Sequence, residues 1–188
     1  MTDTQLPANL IAFVRDQKDR HEIHECLLRY TRGVDRHEIK LLESAYHDDA
    51  FDEHGVVNGN REEFCAWALA YHGGYQRSHH HVITNSVIDL DGDTAHVETY
   101  YTFFGDNKAG PATLAYGRYV DRFERRNGEW RIAHRVCVSE YAGVFSEQEM
   151  PPEARMAMLS TGPNTRDFND ISYDRPLRRS RGPAPSSV

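Results

Sequence analysis

The stretch HVITNSVIDLDGDTAHVETYYTFF, residues 81–104, is where the chain changes its period. Two runs rich in β-branched and aromatic residues flank Asp91-Gly92-Asp93, a tight-turn signal, and predict strands over 81–90 and 94–104. Downstream, a looser loop over 105–110 leads to a long strand over 113–125. Arg126-Asn127-Gly128 gives a hairpin signal, and a fourth strand follows over 129–141. Upstream, Ile23, Leu27, Tyr30 and Val34 recur at i, i+4, i+7 and i+11, one face of a helix within 16–33, with Gly33 as its C-terminal stop. A short helix fits 39–46, and HDDAF after it reads as a turn into an extended piece. Asn58-Gly59-Asn60 then precedes REEFCAWALAYH, an amphipathic helix with an asparagine cap and an acidic first turn. Helices followed by consecutive antiparallel strands predict an α+β domain, with one curved sheet wrapped around a long N-terminal helix and enclosing a pocket.

Composition narrows the function. The chain has 188 residues, enough for one ordinary domain with a real core. A formal net charge of −7 speaks against a nucleic-acid footprint, and no apolar run approaches the length of a membrane span. Beyond Phe145 the helix-like stretch EQEMPPEARMAML, residues 147–159, leads into a Pro/Ser-rich tail (Pro163, Pro176, Pro183, Pro185) that carries the basic cluster Arg175, Arg178, Arg179 and Arg181 and reads as solvated, extended or disordered chain. Cys26, Cys65 and Cys137 have no CxxC spacing and read as free thiols. The N-terminus lacks signal-peptide character, so a cytoplasmic location is expected.

Three consecutive histidines, His79, His80 and His81, open the first long strand. Alternation puts His79 and His81 on one face and His80 on the other. Extended through the strand, it aligns Ile83, Asn85, Val87 and Asp89 with His81 in the core-facing row. Val82, Thr84, Ser86, Ile88 and Leu90 then share the face of His80. Neither row is cleanly apolar, so one face is expected to line a polar-tolerant cavity, with Asn85 on it. A histidine base needs an orienting carboxylate. Asp35 is the odd one: it sits just past the helix stop, where the macrodipole disfavours an anion by roughly 0.3–1 kcal/mol. Either Arg32, Arg36 and Lys40 screen it or it has a use. His79 and His81 could also be two metal ligands, with His96 as a third, but no ligand motif supports this.

The GVDRHE segment after the amphipathic helix, DDAF, HVITN at a strand start, DGD, and YVDRFERRNGEWRI together resemble a SnoaL-like member of the NTF2-like superfamily. The likeness covers about residues 15–145. It leaves 1–14 as an N-terminal extension and 146–188 as a C-terminal extension and tail. It implies an α+β cone with a deep pocket between sheet and helices. Scytalone dehydratase, hexachlorocyclohexane dehydrochlorinase and the bile-acid 7α-dehydratases use a His–Asp pair in that pocket. The dehydrochlorinase has its aspartate in a GVD segment ending the first long helix and its histidine three residues before a Thr-Asn pair. Those positions here are Asp35 and His81, and the tyrosine five residues before the aspartate in the bile-acid enzymes matches Tyr30.

The resemblance therefore implies a cofactor-independent lyase of the dehydratase or dehydrohalogenase type, acting on a small apolar cyclic substrate. His81 would be the base, Asp35 its partner and Tyr30 the hydrogen-bond donor, with no metal. Tyr46, Trp67, Tyr101, Tyr119 and His134 are candidates for substrate contact, although a core role is open for the tyrosines and Trp67, and a solvent-facing one for His134. Arg125 or Arg126 may serve as in the dehydrochlorinase or simply carry the charge of an exposed hairpin. A homo-oligomer is expected, a trimer ahead of a dimer. A noncatalytic binding or assembly subunit, or an isomerase of the ketosteroid type, is the alternative.

Overall fold

The computed structural model describes residues 7–146, 148–160, 162 and 164–177. The chain divides into two units, Met1–Glu147 and Gln148–Val188. The first begins with helix α1, Ala8–Asp35, whose buried face is Ile23, Cys26, Leu27, Tyr30, Thr31, Gly33 and Val34. Its predicted stop at Gly33 is wrong. The helix runs two residues further because Gly33 serves another purpose: a Cβ there would sit 2.5 Å from the backbone nitrogen of Leu42. The missing side chain lets α1 press directly against α2, Ile39–Glu43. This second helix is shorter than 39–46, since Tyr46 already belongs to strand β1, Tyr46–Glu53.

Strand β2, Asn58–Asn60, pairs antiparallel with β1 and hands the chain to α3, Arg61–Tyr75. Here the sequence signal holds in full. The Asn60 side chain accepts from the Glu63 backbone N–H at 3.0 Å, and the Glu63 carboxylate accepts from the Asn60 N–H at 3.0 Å, a reciprocal capping box. The helix continues through Gly73-Gly74. Strands β3, Gln76–Asp91, β4, Thr94–Asn107, β5, Ala112–Arg126, and β6, Glu129–Phe145, then follow as a meander. Asn127 and Gly128 take φ of 54° and 81° at the last hairpin, the left-handed pair that a two-residue turn requires.

The six strands form one curved, unclosed sheet in the order β2-β1-β6-β5-β4-β3. Neighbours are antiparallel except β1 and β6, which run parallel. That parallel pairing, between segments about 80 residues apart, makes the sheet mixed. Its inner face and the buried face of α1 share a core of Leu27, Tyr30, Tyr46, Phe64, Tyr119, Phe123, Trp130 and Ile132, all at most 1% exposed.

One buried element is not apolar. Arg135 on β6 and Asp121 on β5 stand opposite each other in register. Arg135 donates to both carboxylate oxygens at 2.7 Å, and both side chains are wholly buried. The guanidinium lies 4.2 Å from the ring centroid of Tyr30 and 4.1 Å from that of Tyr119, two rings set nearly at right angles to each other. Both contacts are cation–π in character, and arginine's weakly hydrated, delocalised charge suits them better than a lysine ammonium.

The second unit carries helix α4, Pro152–Leu159, and a 3₁₀ turn, Ile171–Tyr173, capped by the Asp170 carboxylate, which accepts from the Ser172 N–H at 3.0 Å. The helix-like reading of 147–159 holds in α4, while the tail after it, expected to be extended or disordered, carries the 3₁₀ turn at Ile171–Tyr173. Pro163, Arg178, Arg179, Arg181, Pro183 and Pro185 lie outside the described residues. No helix among the described residues is long and apolar enough to cross a membrane.

Candidate active site

The last residue of α1 and the start of β3 meet at one point. Asp35 accepts from the His81 backbone N–H with both oxygens, at 2.9 and 3.2 Å, and its Oδ1 lies 2.7 Å from His81 Nδ1. A carboxylate only accepts, so the proton of that contact belongs to Nδ1 and the lone pair of the neutral ring falls on Nε2. Two of the three contacts hold the strand and one holds the ring. Asp35 therefore ties His81 to the helix as well as orienting its ring.

His79 lies on the same face, 1% exposed, with Nε2 3.5 Å from Asp35 Oδ1. It stacks on His72 of α3 at 4.2 Å, and His72 meets His81 edge-on at 5.4 Å. Burial, with His81 adding to it, holds the His72 pKa down to about 3. His72 is thus a neutral ring packed against His79 and His81. Asp35, His79 and His81 also bring three donor atoms within 4.8 Å of one another. His96, the sequence's candidate third ligand, is exposed and pairs with Asp89 on the far end of β3.

His81 opens into a cavity of about 330 Å³ lined mainly by rings: Tyr30, His54, Phe64, Trp67, His72, Tyr101, Phe103 and Tyr119 take part. Tyr30 is 1% exposed, edge-on to His81 at 6.5 Å and to Tyr119 at 5.5 Å. Burial raises its pKa far above the usual phenol range, against the opposing pull of Arg135, so it remains an O–H donor at any ordinary pH. Tyr101 stacks on Tyr119 at 4.5 Å, and burial pushes its pKa up to about 12.

The structure thus brings His81, Tyr30, Trp67, Tyr101 and Tyr119 together on one cavity wall, with Asp35 bonded to His81 from outside the lining. It separates two of the sequence candidates. Tyr46 turns its hydroxyl to Asp52 Oδ2 at 2.6 Å and sits in the core rather than on the lining. His134 pairs with Glu53 at 2.7 Å on the other face of the sheet edge. Arg125 binds Asp19 on α1 and Asp93 in the β3–β4 turn, and Arg126 binds Asp49 on β1 and Glu124 on β5, so both are held in ion pairs that tie the hairpin to its neighbours.

The alternation read along β3 also needs correcting. A register shift between Ile83 and Ser86 turns the strand over. Before it, His79, His81 and Ile83 point inward. After it, Ser86, Ile88 and Leu90 do, and Asn85, Val87 and Asp89 face out. Asn85 is therefore no cavity residue.

Sequence reasoning passed over His54, His72, Cys137 and Phe103, all on the lining. For His54 a signal existed: Asp52 and His54 are two apart at a strand end. Their side chains do meet, Asp52 Oδ1 to His54 Nδ1 at 2.8 Å.

Residues 15–136 match the family described as the SnoaL-like domain. Over 131 residues the chain is 28% identical to an uncharacterised protein of Mycobacterium tuberculosis, spanning 65% of this chain and 86% of that one. Among solved structures, a hexachlorocyclohexane dehydrochlorinase of Novosphingobium barchaimii superposes with a TM-score of 0.66 at 19% identity, over 74% of this chain and 98% of that one. A protein of Novosphingobium aromaticivorans provisionally named scytalone dehydratase gives 0.63 at 16% identity, over 73% and 94%. A Kribbella flavida protein gives 0.62 at 22%, over 68% and 95%. At these identities the structural likeness establishes the fold.

Proposed function

The chain belongs to the SnoaL-like domain family, and from that membership we propose that it is a cofactor-independent lyase of the dehydratase or dehydrohalogenase type. The observation that carries this reading is the 2.7 Å contact between Asp35 and His81 Nδ1 at the edge of a ring-lined cavity. Neutral His81 takes a proton on Nε2 from a weakly acidic C–H. Asp35 holds the ring and offsets the charge that develops on it. The freed electron pair becomes the new carbon–carbon π bond, and the leaving group departs with its own bonding pair. Where that group is a hydroxyl, Tyr30 donates the proton that turns it into water, and the proton held by His81 passes through solvent to the Tyr30 oxygen, restoring both groups. The elimination is redox-neutral.

The substrate is a small apolar cyclic compound. A cavity of about 330 Å³ sits at the low end of the range for small-molecule sites, and its walls offer aromatic faces with a few hydroxyls. The dehydratase and dehydrochlorinase names among the structural neighbours support elimination over isomerisation.

The test compares wild type with His81→Ala and Asp35→Asn on hydroxysteroid, hydroxynaphthalenone and chlorocyclohexane substrates, with folding checked by circular dichroism. Each substitution is expected to lower turnover by about 10²–10⁴-fold. Turnover kept within threefold of wild type in both folded variants overturns the dyad. A wild type that binds such ligands and converts none of them favours a binding role.

A further inference from the structure

The elimination uses one nitrogen of His81, Nε2. Beside the other stand two more donors, Asp35 and His79, both outside the cavity lining. Asp35 Oδ1 lies 2.7 Å from His81 Nδ1 and 3.5 Å from His79 Nε2, and the donor atoms of all three residues fall within 4.8 Å of one another. His79 and His81 leave β3 on one face, and Asp35 meets them from the end of α1. Two imidazoles and one carboxylate form a donor set that first-row divalent ions accept. The third member is Asp35, where the sequence had suggested His96.

We propose that Asp35, His79 and His81 form a binding site for a divalent first-row transition ion such as zinc, and that an ion there and proton abstraction by His81 exclude each other. The second half rests on the elimination reading; the first does not. Zinc bonds imidazole nitrogen and carboxylate oxygen at about 2.0–2.2 Å, so two ligands of a tetrahedral ion stand about 3.3 Å apart. The 3.5 Å between His79 and Asp35 is close to that spacing and longer than an ordinary N–H···O bond of about 2.9–3.0 Å. Asp35 and His81 part by roughly 0.6 Å as the ion replaces the proton between them. Water completes the shell, as in sites with three protein ligands. The exchange balances: the ion takes the Nδ1 electron pair, the Nδ1 proton leaves to solvent, and solvent returns one to Nε2. His81 stays neutral, but the nitrogen that would take the substrate proton now carries a hydrogen.

The surroundings favour a cation. Asp35 ends α1 at the negative pole of its macrodipole, where about half an elementary charge collects. A divalent ion turns that unfavourable place for a carboxylate into a favourable one. Lys40, which the sequence offered as a screen for Asp35, is committed to Glu43 at 2.8 Å. The ligands are also held in place. His72 stacks on His79 at 4.2 Å, and His72 Nδ1 lies 3.1 Å from Gln76 Oε1, the kind of outer support that orients a ligating ring. The Asp35 side chain remains 14% exposed, which leaves an ion a way in.

The experiment titrates the chelator-treated full-length chain with Zn²⁺ by calorimetry and with Co²⁺ by visible absorption. One ion per chain is expected. With zinc about 100-fold above its dissociation constant, the melting temperature should rise by about 5–10 °C. His79→Ala should weaken binding by at least about 100-fold, since even an outer-shell change costs 10–100-fold. His134→Ala, which removes the surface pair with Glu53, should bind as wild type and so separates this site from adventitious surface binding. Long-range proton–nitrogen NMR should show the His81 ring proton moving from Nδ1 to Nε2 on saturation. A wild type that takes up no stoichiometric ion overturns the proposal, and so does a folded His79→Ala protein that binds zinc as tightly as wild type. A His81 tautomer unchanged by bound zinc overturns the exclusion. The failures are distinct: turnover without zinc binding sinks this inference alone, and zinc binding by a chain that converts no substrate counts against the elimination alone.

Discussion

Replacing Arg135 with methionine removes the central charge of the core and leaves Asp121 buried without its cation. Both side chains have no exposed surface and share two 2.7 Å hydrogen bonds. Breaking such a pair from one side costs about 3–5 kcal/mol, because the remaining ion is uncompensated. Loss of the cation–π contacts with Tyr30 and Tyr119 adds on the order of 1 kcal/mol. Against a typical total stability of about 5–15 kcal/mol this is a large share. At roughly 2–4 °C per kcal/mol for a domain of this size, the melting temperature should fall by about 10–15 °C. A second signature follows from Asp121. Burial already raises its pKa despite Arg135, and without Arg135 it rises further. A carboxylate raised in the folded state favours folding at low pH and loses that contribution as pH rises through its folded pKa. The variant's deficit should therefore shrink on acidification. Removing both charges, with Asp121→Leu added to Arg135→Met, should recover most of the loss. Urea melts at pH 5 and pH 8 check all three. A single variant that loses under about 1 kcal/mol, or a double variant no better than the single, would refute the reasoning.

Stability should also bend at both ends of the pH scale. His72 refuses protons until pH falls to about 3, whereas an unfolded histidine binds them below about 6.5, so stability should drain away between pH 6.5 and 3, by as much as ~5 kcal/mol. His72→Phe should flatten that limb in pH-dependent urea melts. His54 has the opposite sign: its folded pKa of about 9 stabilises fully below about 6.5 and is lost as pH rises through 9, worth up to ~3 kcal/mol and abolished in His54→Ala. Gly117→Ala would place a methyl 2.1 Å from the Val138 carbonyl oxygen and 3.1 Å from Tyr101 Oη. It should cost roughly 3 kcal/mol in a thermal melt and, by displacing Tyr101, weaken binding of cavity ligands.

Much of this was legible wherever one local signal had one cause. The spacing of Ile23, Leu27, Tyr30 and Val34 named the buried face of α1, and Asn60 with Glu63 named the start of α3. Asn127-Gly128 placed the last hairpin, and the resemblance singled out Asp35 and His81, which do touch. Glycines misled at Gly33, because a residue that ends helices in isolation also permits close backbone approach inside one. The parallel partnership of β1 with β6 was invisible, since nothing within residues 46–53 encodes a partner some 80 positions away. Cys137 went unseen as a lining residue for the same reason, since its place on β6 near the end of β1 is a product of that register. Tyr46 and His134 were plausible by residue type, and only the direction of each side chain, toward Asp52 and Glu53, set them apart from the cavity.

The register shift in β3 between Ile83 and Ser86 has a consequence for how the domain can vary. It splits a 16-residue strand into two independently phased halves, one answering to the cavity and one to the packing against α1. Substitutions in residues 86–90 can be selected for fit to the core without re-aiming His81. Changes around residues 79–83 can reshape the cavity wall without unpacking the far end. Deleting one residue at the shift would restore a continuous pleat and force the two halves into a single phase, setting the aim of His81 and core packing in direct conflict.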